Sequence, residues 1–233
     1  MTDQETGAAQ RIVTGNWFCR ALLWLYDSLT LNSPPVPADL ILVIAGRMDR
    51  KAYGLELYDK GLAPRLLLST GRFEVSRMST LSIRGVEELI ALRDRLPPGQ
   101  RHFAVQLDSS GIKFQILPLP RWSTYGEALG LRPLLLQKAV GRVLVVSTDV
   151  HLRRVALSFS KIFRGCAIEF SYCPVPQRLT GIKREGWWTR PADRSFVIRE
   201  LWKFAGYRLI LLFPGWLSRR LMRLQWETSA PAV

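Results

Sequence analysis

The chain has 233 residues, of which 48% are hydrophobic and 22% are charged, and its formal net charge is +14. This length and composition predict one sizeable core, and they argue against two full domains and against wholesale disorder. The excess of basic residues favours an anionic partner, namely nucleic acid, an acidic bilayer surface or a phosphorylated small molecule, although a solvated basic surface accounts for it equally well.

The N-terminal region, residues 1–36, combines a polar tail with one amphipathic helix. The first residues are polar and no small-residue cleavage site follows them, so we expect no cleavable signal peptide. Apolar residues recur at helical spacing over Trp17–Leu29, but Arg20 and Asp27 interrupt this stretch, which is too short to span a membrane. A proline-rich linker at 32–37 ends the helix. These features predict a cytoplasmic protein.

Residues 37–213 alternate buried apolar runs with helical patterns. The predicted elements are a strand at 39–45, a helix at 47–60, a strand at 65–69, a helix at 78–95, strands at 102–107 and 112–117, a helix to about 140, a strand at 142–146, a helix to about 163, a strand at 167–172 and a long helix that Asp193 caps and that runs to about Phe213. A basic amphipathic helix is expected at 216–226, within a C-terminal region 214–233.

The order of these elements predicts the fold class. Strands that alternate with helices imply parallel pairing with right-handed crossovers. The two alternating runs around residues 108–111 predict a β-hairpin at the sheet edge. We therefore expect a three-layer α/β/α Rossmann-like domain with a mostly parallel sheet, an inserted hairpin and flanking amphipathic helices.

A polar, titratable cluster stands where the most strongly apolar strand gives way to a helix, within Arg142–Arg154. The valine-rich run is typical of a strand buried on both faces, and Ser147, Thr148 and Asp149 are residues that start helices. In open α/β sheets, ligands bind at the carboxyl ends of the strands. The sequence therefore predicts a binding site at this edge.

Each predicted strand-to-helix turn brings glycine or hydroxyl residues close to arginine. Because these turns share one sheet edge, we expect them to surround a pocket for a phosphate or another compact anion. The predicted binding residues are Gly46, Arg47, Arg50, Ser69, Thr70, Gly71, Ser123, Thr124, Glu127, Ser147, Thr148 and Arg154. Taken singly, each hydroxyl has a purely structural alternative, and Thr124 with Glu127 also fits a helix capping box.

His151 is the candidate catalytic residue. It lies just inside a predicted helix start, where the helix dipole disfavours the imidazolium and leaves a neutral ring able to act as a base or a hydrogen-bond donor. Arg154 falls on the same helical face and is expected to hold an anion beside the ring. Asp149 either orients the ring or caps the helix.

Five short segments occur in an order that resembles a known family. They are a strand and glycine at 40–46, Leu57-Tyr58-x-x-Gly61-Leu62-Ala63-Pro64, Ser69-Thr70-Gly71, Ser123-Thr124-Tyr125-Gly126-Glu127-Ala128, and Ser147-Thr148-x-x-His151-x-x-Arg154. The ordered set, over about 37–175, resembles the YdcF/ElyC/SanA family of bacterial proteins. Thr70 stands where that family usually has glycine, and Gly126 and Glu127 stand where it has Glu and Asn.

The resemblance implies a Rossmann-like domain connected with the bacterial envelope and with peptidoglycan precursors. One relative is reported to bind S-adenosylmethionine, and many relatives carry an N-terminal spanning helix, which is not predicted here. The departures from the family motifs are compatible with a ligand that differs from those of the family or with loss of the family's activity.

Three functions compete. The first is binding or processing of a phosphorylated substrate, free or lipid-linked, in envelope metabolism, with His151 as acid or base. The second is a binding module for a nucleotide or an S-adenosylmethionine-type cofactor, with Glu74 as the ribose acid. The third is a peripheral protein without catalysis that contacts an anionic inner membrane through Trp17–Leu29 and 209–226. Nucleic acid ranks last because no nucleic-acid motif appears.

No cofactor or metal is indicated by the sequence. Neither a dinucleotide-binding fingerprint nor a Walker A loop is present, and three cysteines with only two histidines do not have zinc-ligand spacing.

Overall fold

The computed structural model describes residues 17–81, 83, 85–118, 123–137 and 140–213. The predicted N-terminal tail and the predicted helix at 216–226 lie outside these residues. The elements in chain order are helix α1 (Trp17–Asp27), β1 (Leu40–Val43), α2 (Met48–Asp59), β2 (Leu66–Thr70), a 3₁₀ helix (Val75–Thr80), α3 (Val86–Arg95), a short 3₁₀ turn (Pro98–Gln100), β3 (Phe103–Asp108), β4 (Gly111–Ile116), α4 (Thr124–Gln137), β5 (Arg142–Ser147), α5 (Asp149–Ile162), β6 (Glu169–Pro174) and α6 (Pro191–Leu212).

The strands form one six-stranded sheet in the order β4-β3-β2-β1-β5-β6. Strands β1, β2, β5 and β6 run parallel, whereas β3 and β4 form the predicted hairpin and pair antiparallel at one edge. Because β3 is antiparallel to β2, its first residue, Phe103, pairs with Thr70 at the carboxyl end of β2. The predicted α/β fold with a mostly parallel sheet is confirmed.

The strand β1 is buried throughout and contributes side chains to both faces of the sheet. Ile41 and Val43 pack on one face in a cluster with residues of α2 and α3. Leu40 and Leu42 pack on the other face in a cluster with residues of α4 and α5. Successive strand residues point to opposite faces, so one apolar run supports two helical layers. Each fully buried aliphatic side chain of this kind stabilises the fold by about 1.5–3 kcal/mol.

The helix α1 is attached to the domain by polar contacts as well as by apolar packing. Tyr26 is buried and its hydroxyl donates to Oδ2 of Asp149 at 2.5 Å. Arg184 donates to both carboxylate oxygens of Asp27, at 2.7 and 2.6 Å. The outer side of the same helix leaves Trp17 and Trp24 exposed. The helix is therefore amphipathic, as expected, and hydrogen bonds and an ion pair hold its inner face on the domain.

Two predicted element starts are wrong. The helix predicted at 78–95 is a 3₁₀ helix followed by α3, and Gly85 between them has φ +75°, a left-handed conformation that interrupts a helix and favours glycine. Asp193 does not precede the long helix. Pro191 is its first residue, because proline lacks the N–H that a first helical position leaves unpaired, and Asp193 accepts from Nε of Arg190 at 2.6 Å.

Candidate functional site

A cavity of about 600 Å³ opens at the carboxyl edge of the sheet. The predicted site residues that line it are Gly46, Arg47, Arg50, Ser123, Thr124, Glu127, His151 and Arg154. They come from the turns after β1 and β5 and from the start of α4, so residues distant in sequence meet in one place. Glu74, the ribose acid of the nucleotide alternative, also lines the cavity. The wall further includes residues that the sequence did not predict as site residues, namely Ala45, Arg77, His102, Phe196, Glu200, Lys203 and Tyr207.

The other predicted residues lie behind the cavity wall. Ser147 and Thr148 are fully buried and hold the residues that face the cavity. Ser69 is buried as well, and its hydroxyl is 3.1 Å from Nε2 of His102. Thr70 turns away from the cavity, because its hydroxyl lies 3.5 Å from the sulfur of Met78. These side chains support the wall rather than form it.

Hydroxyl groups hold both ring nitrogens of His151. Nε2 is 3.1 Å from Oγ1 of Thr124, and Nδ1 is 3.0 Å from Oγ of Ser147. Arg154 also donates to Oγ1 of Thr124 through Nη1. A guanidinium can only donate, so the Thr124 oxygen accepts from Arg154 and its hydrogen is available to His151. One neutral tautomer uses all of these groups: the Thr124 hydroxyl donates to an unprotonated Nε2, and Nδ1–H donates to Ser147.

The imidazole of His151 is held in its neutral form. Burial disfavours the charged ring and lowers its pKa well below the usual value, and the positive charges of Arg154 and Arg50 lower that pKa further. His151 is only 6% exposed, but it borders the cavity. A neutral histidine with Nε2 unprotonated can accept a proton from a neighbouring hydroxyl.

The arginines at the back of the cavity are already engaged. Arg154 donates to Oε2 of Glu200 through Nε at 3.1 Å and through Nη2 at 2.8 Å. Arg50 donates to the carbonyl of Ala45 at 2.6 Å and to the hydroxyl of Thr148 at 2.8 Å. Within the described part of the chain, the buried Nε of Arg50 has no hydrogen-bond partner. The charge of Arg154 is thus neutralised by a carboxylate, whereas the buried Nε–H of Arg50 has no acceptor among the described residues.

An internal carboxylate occupies the backbone donors of the first two turns. Oε1 of Glu74 accepts from the N–H of Gly46 at 2.8 Å and from that of Gly71 at 3.2 Å. Its other oxygen pairs with the ammonium of Lys51, whose side chain is fully buried. The glycine turns therefore bind an anion, as their sequence suggested, but this anion is a side chain of the protein. Both oxygens of Glu74 are therefore already engaged in this arrangement.

Glu127 is a second internal carboxylate at this edge. Its Oε1 accepts from the N–H of Ala45 at 2.8 Å, and Ser69 also donates to it. Burial raises the pKa of Glu127, which favours its protonated form. The capping-box alternative for Thr124 and Glu127 is wrong. The hydroxyl of Ser123 caps α4 by accepting from the N–H of Gly126 at 2.9 Å, so Thr124 and Glu127 are free to face the cavity.

Helix α6 supplies the part of the wall that the sequence did not indicate. Phe196, Glu200, Lys203 and Tyr207 are spaced by four, three and four residues, which places them on one face of the helix. This spacing is visible in the sequence, but nothing local indicates that this face covers the carboxyl edge of the sheet. His102 was missed for another reason. It precedes β3, and because β3 runs antiparallel to β2, the start of β3 lies at the carboxyl edge of the parallel strands.

The rim of the cavity is more cationic than its back. Arg47 and Lys203 have side chains that are 44% and 46% exposed, and each has one carboxylate partner, Asp49 and Glu200 respectively. Arg77 is exposed, and no ion pair of its side chain is found in the described chain. An anion that enters from solvent would meet these three cations before it meets the engaged arginines.

No group of three or more potential metal-ligating side chains occurs within the described ranges. None of the helices among the described residues is both long enough and apolar enough to cross a bilayer. Comparisons of this chain with family models, with curated proteins and with solved structures returned no match. Any inference about function therefore depends on the geometry of this site and on the sequence motifs.

Proposed function

We propose that this protein binds and processes a phosphorylated, anionic substrate in the cavity at the carboxyl edge of the sheet. The observation that carries the proposal is the contact of a neutral histidine, His151, with the hydroxyl of Thr124 in a cavity with a cationic rim. The histidine supplies a base, and the rim cations Arg47, Arg77 and Lys203 attract the phosphate.

The distribution of charge favours entry of the phosphate past the rim. The carboxylates of Glu74 and Glu200 neutralise cations at the back, so the long-range attraction on an incoming phosphate comes mainly from the rim cations.

The proposed biological setting is envelope metabolism, with a phosphorylated peptidoglycan precursor, lipid-linked or free, as the substrate. This part of the proposal depends on the resemblance of the ordered motifs to the YdcF/ElyC/SanA family. The nucleotide or S-adenosylmethionine alternative is weaker, since the carboxylate of Glu74 is already bonded to Gly46, Gly71 and Lys51.

A thermal-shift titration tests the proposal. Inorganic phosphate, pyrophosphate and a short-chain polyprenyl phosphate are expected to raise Tm, whereas ATP and S-adenosylmethionine are not. Arg77→Glu is expected to weaken the response to the phosphates. Arg164→Glu is the matched control, because Arg164 is an exposed arginine outside the cavity and the change in charge is the same. A response only to the nucleoside compounds would reject the proposal in favour of the nucleotide alternative.

We also propose that the protein contacts an anionic membrane surface peripherally. Trp17, Trp24 and Trp202 are 78%, 68% and 76% exposed on α1 and α6. Both acidic residues of α6, Asp193 and Glu200, are buried, so the exposed charges of this helix are all basic. Exposed tryptophans with nearby basic residues suit an anionic interface.

Vesicle flotation tests this second proposal. The protein is expected to float with vesicles of phosphatidylcholine that contain phosphatidylglycerol and much less with phosphatidylcholine alone. Replacing Trp24 and Trp202 by Ala should reduce flotation, because both side chains are exposed and their loss costs little packing. Flotation that does not depend on the anionic lipid would contradict the proposal.

A further inference from the structure

The hydroxyl of Thr124 is placed as a nucleophile would be. It lies 3.1 Å from Nε2 of His151, and the bond from Arg154 leaves its hydrogen available to that nitrogen. Ser147 contacts the opposite ring nitrogen at 3.0 Å and so holds the orientation of the ring. A nucleophile, a base within hydrogen-bond distance and a third group that orients the base are the three parts of an activated hydroxyl.

We propose that Thr124 is the catalytic nucleophile of this cavity and forms a covalent phosphoryl intermediate with His151 as its general base. This inference rests on the proposed function, since it names the residue that attacks the phosphorylated substrate.

The chemistry balances with water as the only co-reactant. Oγ1 of Thr124 attacks phosphorus while its proton passes to Nε2 of His151. The bond between phosphorus and the leaving oxygen breaks, and the leaving oxygen takes the proton from His151. Water then attacks the phosphothreonine, gives its proton to Nε2, and the released Thr124 oxygen takes that proton back. The products are an alcohol and inorganic phosphate.

Arg154 has a positioning role in this step. Its Nη1 donates to Oγ1 of Thr124 and holds the hydroxyl in place, and Glu200 in turn fixes the guanidinium. Glu127 lies one helical turn from Thr124 and also lines the cavity. Its raised pKa makes it a second proton donor for a leaving oxygen.

The neighbouring hydroxyl provides an internal comparison. Ser123 also lines the cavity, but its oxygen accepts from the N–H of Gly126 as the helix cap, and no histidine contact to it is found among the described residues. If mere exposure to the cavity decided reactivity, Ser123 would be modified at least as readily as Thr124. Activation by His151 predicts the opposite preference.

Diisopropyl fluorophosphate is the probe for the test, because attack on its phosphorus releases fluoride and leaves a stable adduct. Intact mass spectrometry followed by peptide mapping is expected to place one adduct on Thr124. Thr124→Val should abolish labelling, and Thr124→Ser should retain it. His151→Gln should slow labelling by about 100-fold or more, the usual contribution of a general base.

The outcomes separate this inference from the proposed function. An adduct on Ser123, labelling that survives in Thr124→Val, or no adduct at all would reject Thr124 as the nucleophile. If inorganic phosphate still raised Tm in that case, the proposed binding site would be retained and only the assignment of Thr124 as the nucleophile would be rejected. If neither an adduct nor a rise in Tm were observed, both the nucleophile and the proposed function would be rejected. If the Thr124→Val variant fails to fold, the position of the adduct mapped on the unmodified protein decides whether Thr124 is the nucleophile.

Discussion

Tyr26 donates a hydrogen bond of 2.5 Å to Asp149, although 123 positions separate the two residues in the sequence. Asp149 is the first residue of α5, directly behind the turn that carries Ser147 and Thr148. The phenol is buried, and both burial and the nearby carboxylate raise its pKa, so it stays protonated and able to donate. The N-terminal helix therefore helps to hold the turn on which the candidate site is built.

Tyr26→Phe is expected to reduce the free energy of unfolding by about 1–3 kcal/mol, because a buried carboxylate oxygen loses its donor. Urea denaturation measures the effect. Tyr58→Phe is the control, since Tyr58 is only partly buried and no hydrogen bond of its hydroxyl is found in the described chain. Equal stability of the two variants would contradict this role of Tyr26.

Gly54→Ala is expected to destabilise the protein by about 1–3 kcal/mol through overpacking. A Cβ at Gly54 would lie 2.3 Å from Cγ2 of Val43, so α2 packs on β1 at a distance that only glycine allows. Gly99→Ala is the matched control, because a Cβ there meets nothing within 4 Å. Thermal unfolding compares the two, and a Gly54 variant as stable as the Gly99 variant would show that β1 can shift to make room.

Glu200→Ala is expected to cost about 3–5 kcal/mol of unfolding free energy, because it leaves the buried guanidinium of Arg154 without its carboxylate. Chemical denaturation gives the value. The variant Glu56→Ala, which breaks a solvent-exposed pair with Lys60, is expected to change stability very little. A small loss for Glu200→Ala would mean that solvent in the cavity replaces the carboxylate.

Stability is expected to decrease as the pH falls from about 6.5 toward 3, through the histidines. Burial lowers the pKa of His102 to about 3, so the folded state keeps a neutral ring that the unfolded chain protonates near pH 6.5. The unfolded state thus binds more protons in this window, and stability rises with pH by up to about 1.4 kcal/mol per pH unit for such a group.

Denaturation at a series of pH values checks this expectation. His102→Gln should show a smaller loss of stability between pH 6.5 and 4 than the unmodified protein, because one of the two depressed histidines is gone. Identical pH profiles would mean that His102 is already solvated or protonated in the folded state. His151, whose pKa is also lowered, contributes to the part that remains.

Much of the fold follows from local sequence patterns. Strand β1 is apolar throughout, and β2 and β5 are apolar over 66–68 and 143–146, as strands buried on both faces require, while the alternation in β3 and β4 predicts a hairpin. The meeting of Gly46, Thr124 and His151 follows from topology alone, because parallel strands share a carboxyl edge. These parts of the site could be placed before any coordinates.

The partners inside the site could not be predicted in this way. Nothing in the sequence near Glu74 shows that its carboxylate reaches Gly46 and Gly71, because that contact depends on how the loop after β2 folds back. The face of α6 that carries Glu200 reaches Arg154 across 46 positions. Long-range pairs of this kind are decided by tertiary packing, whereas the local pattern of a helix only shows that one of its faces is polar or apolar.

The first turn of α4 connects two separate hydrogen-bond chains. Thr124 leads to His151 and Ser147, whereas Glu127 leads to Ala45 and, through Ser69, to His102. A small displacement of this one turn would lengthen bonds in both chains together. Both hydrogen-bond chains that reach the two histidines would then change at the same moment, so the hydrogen bonding around both rings depends on the position of a single helix end.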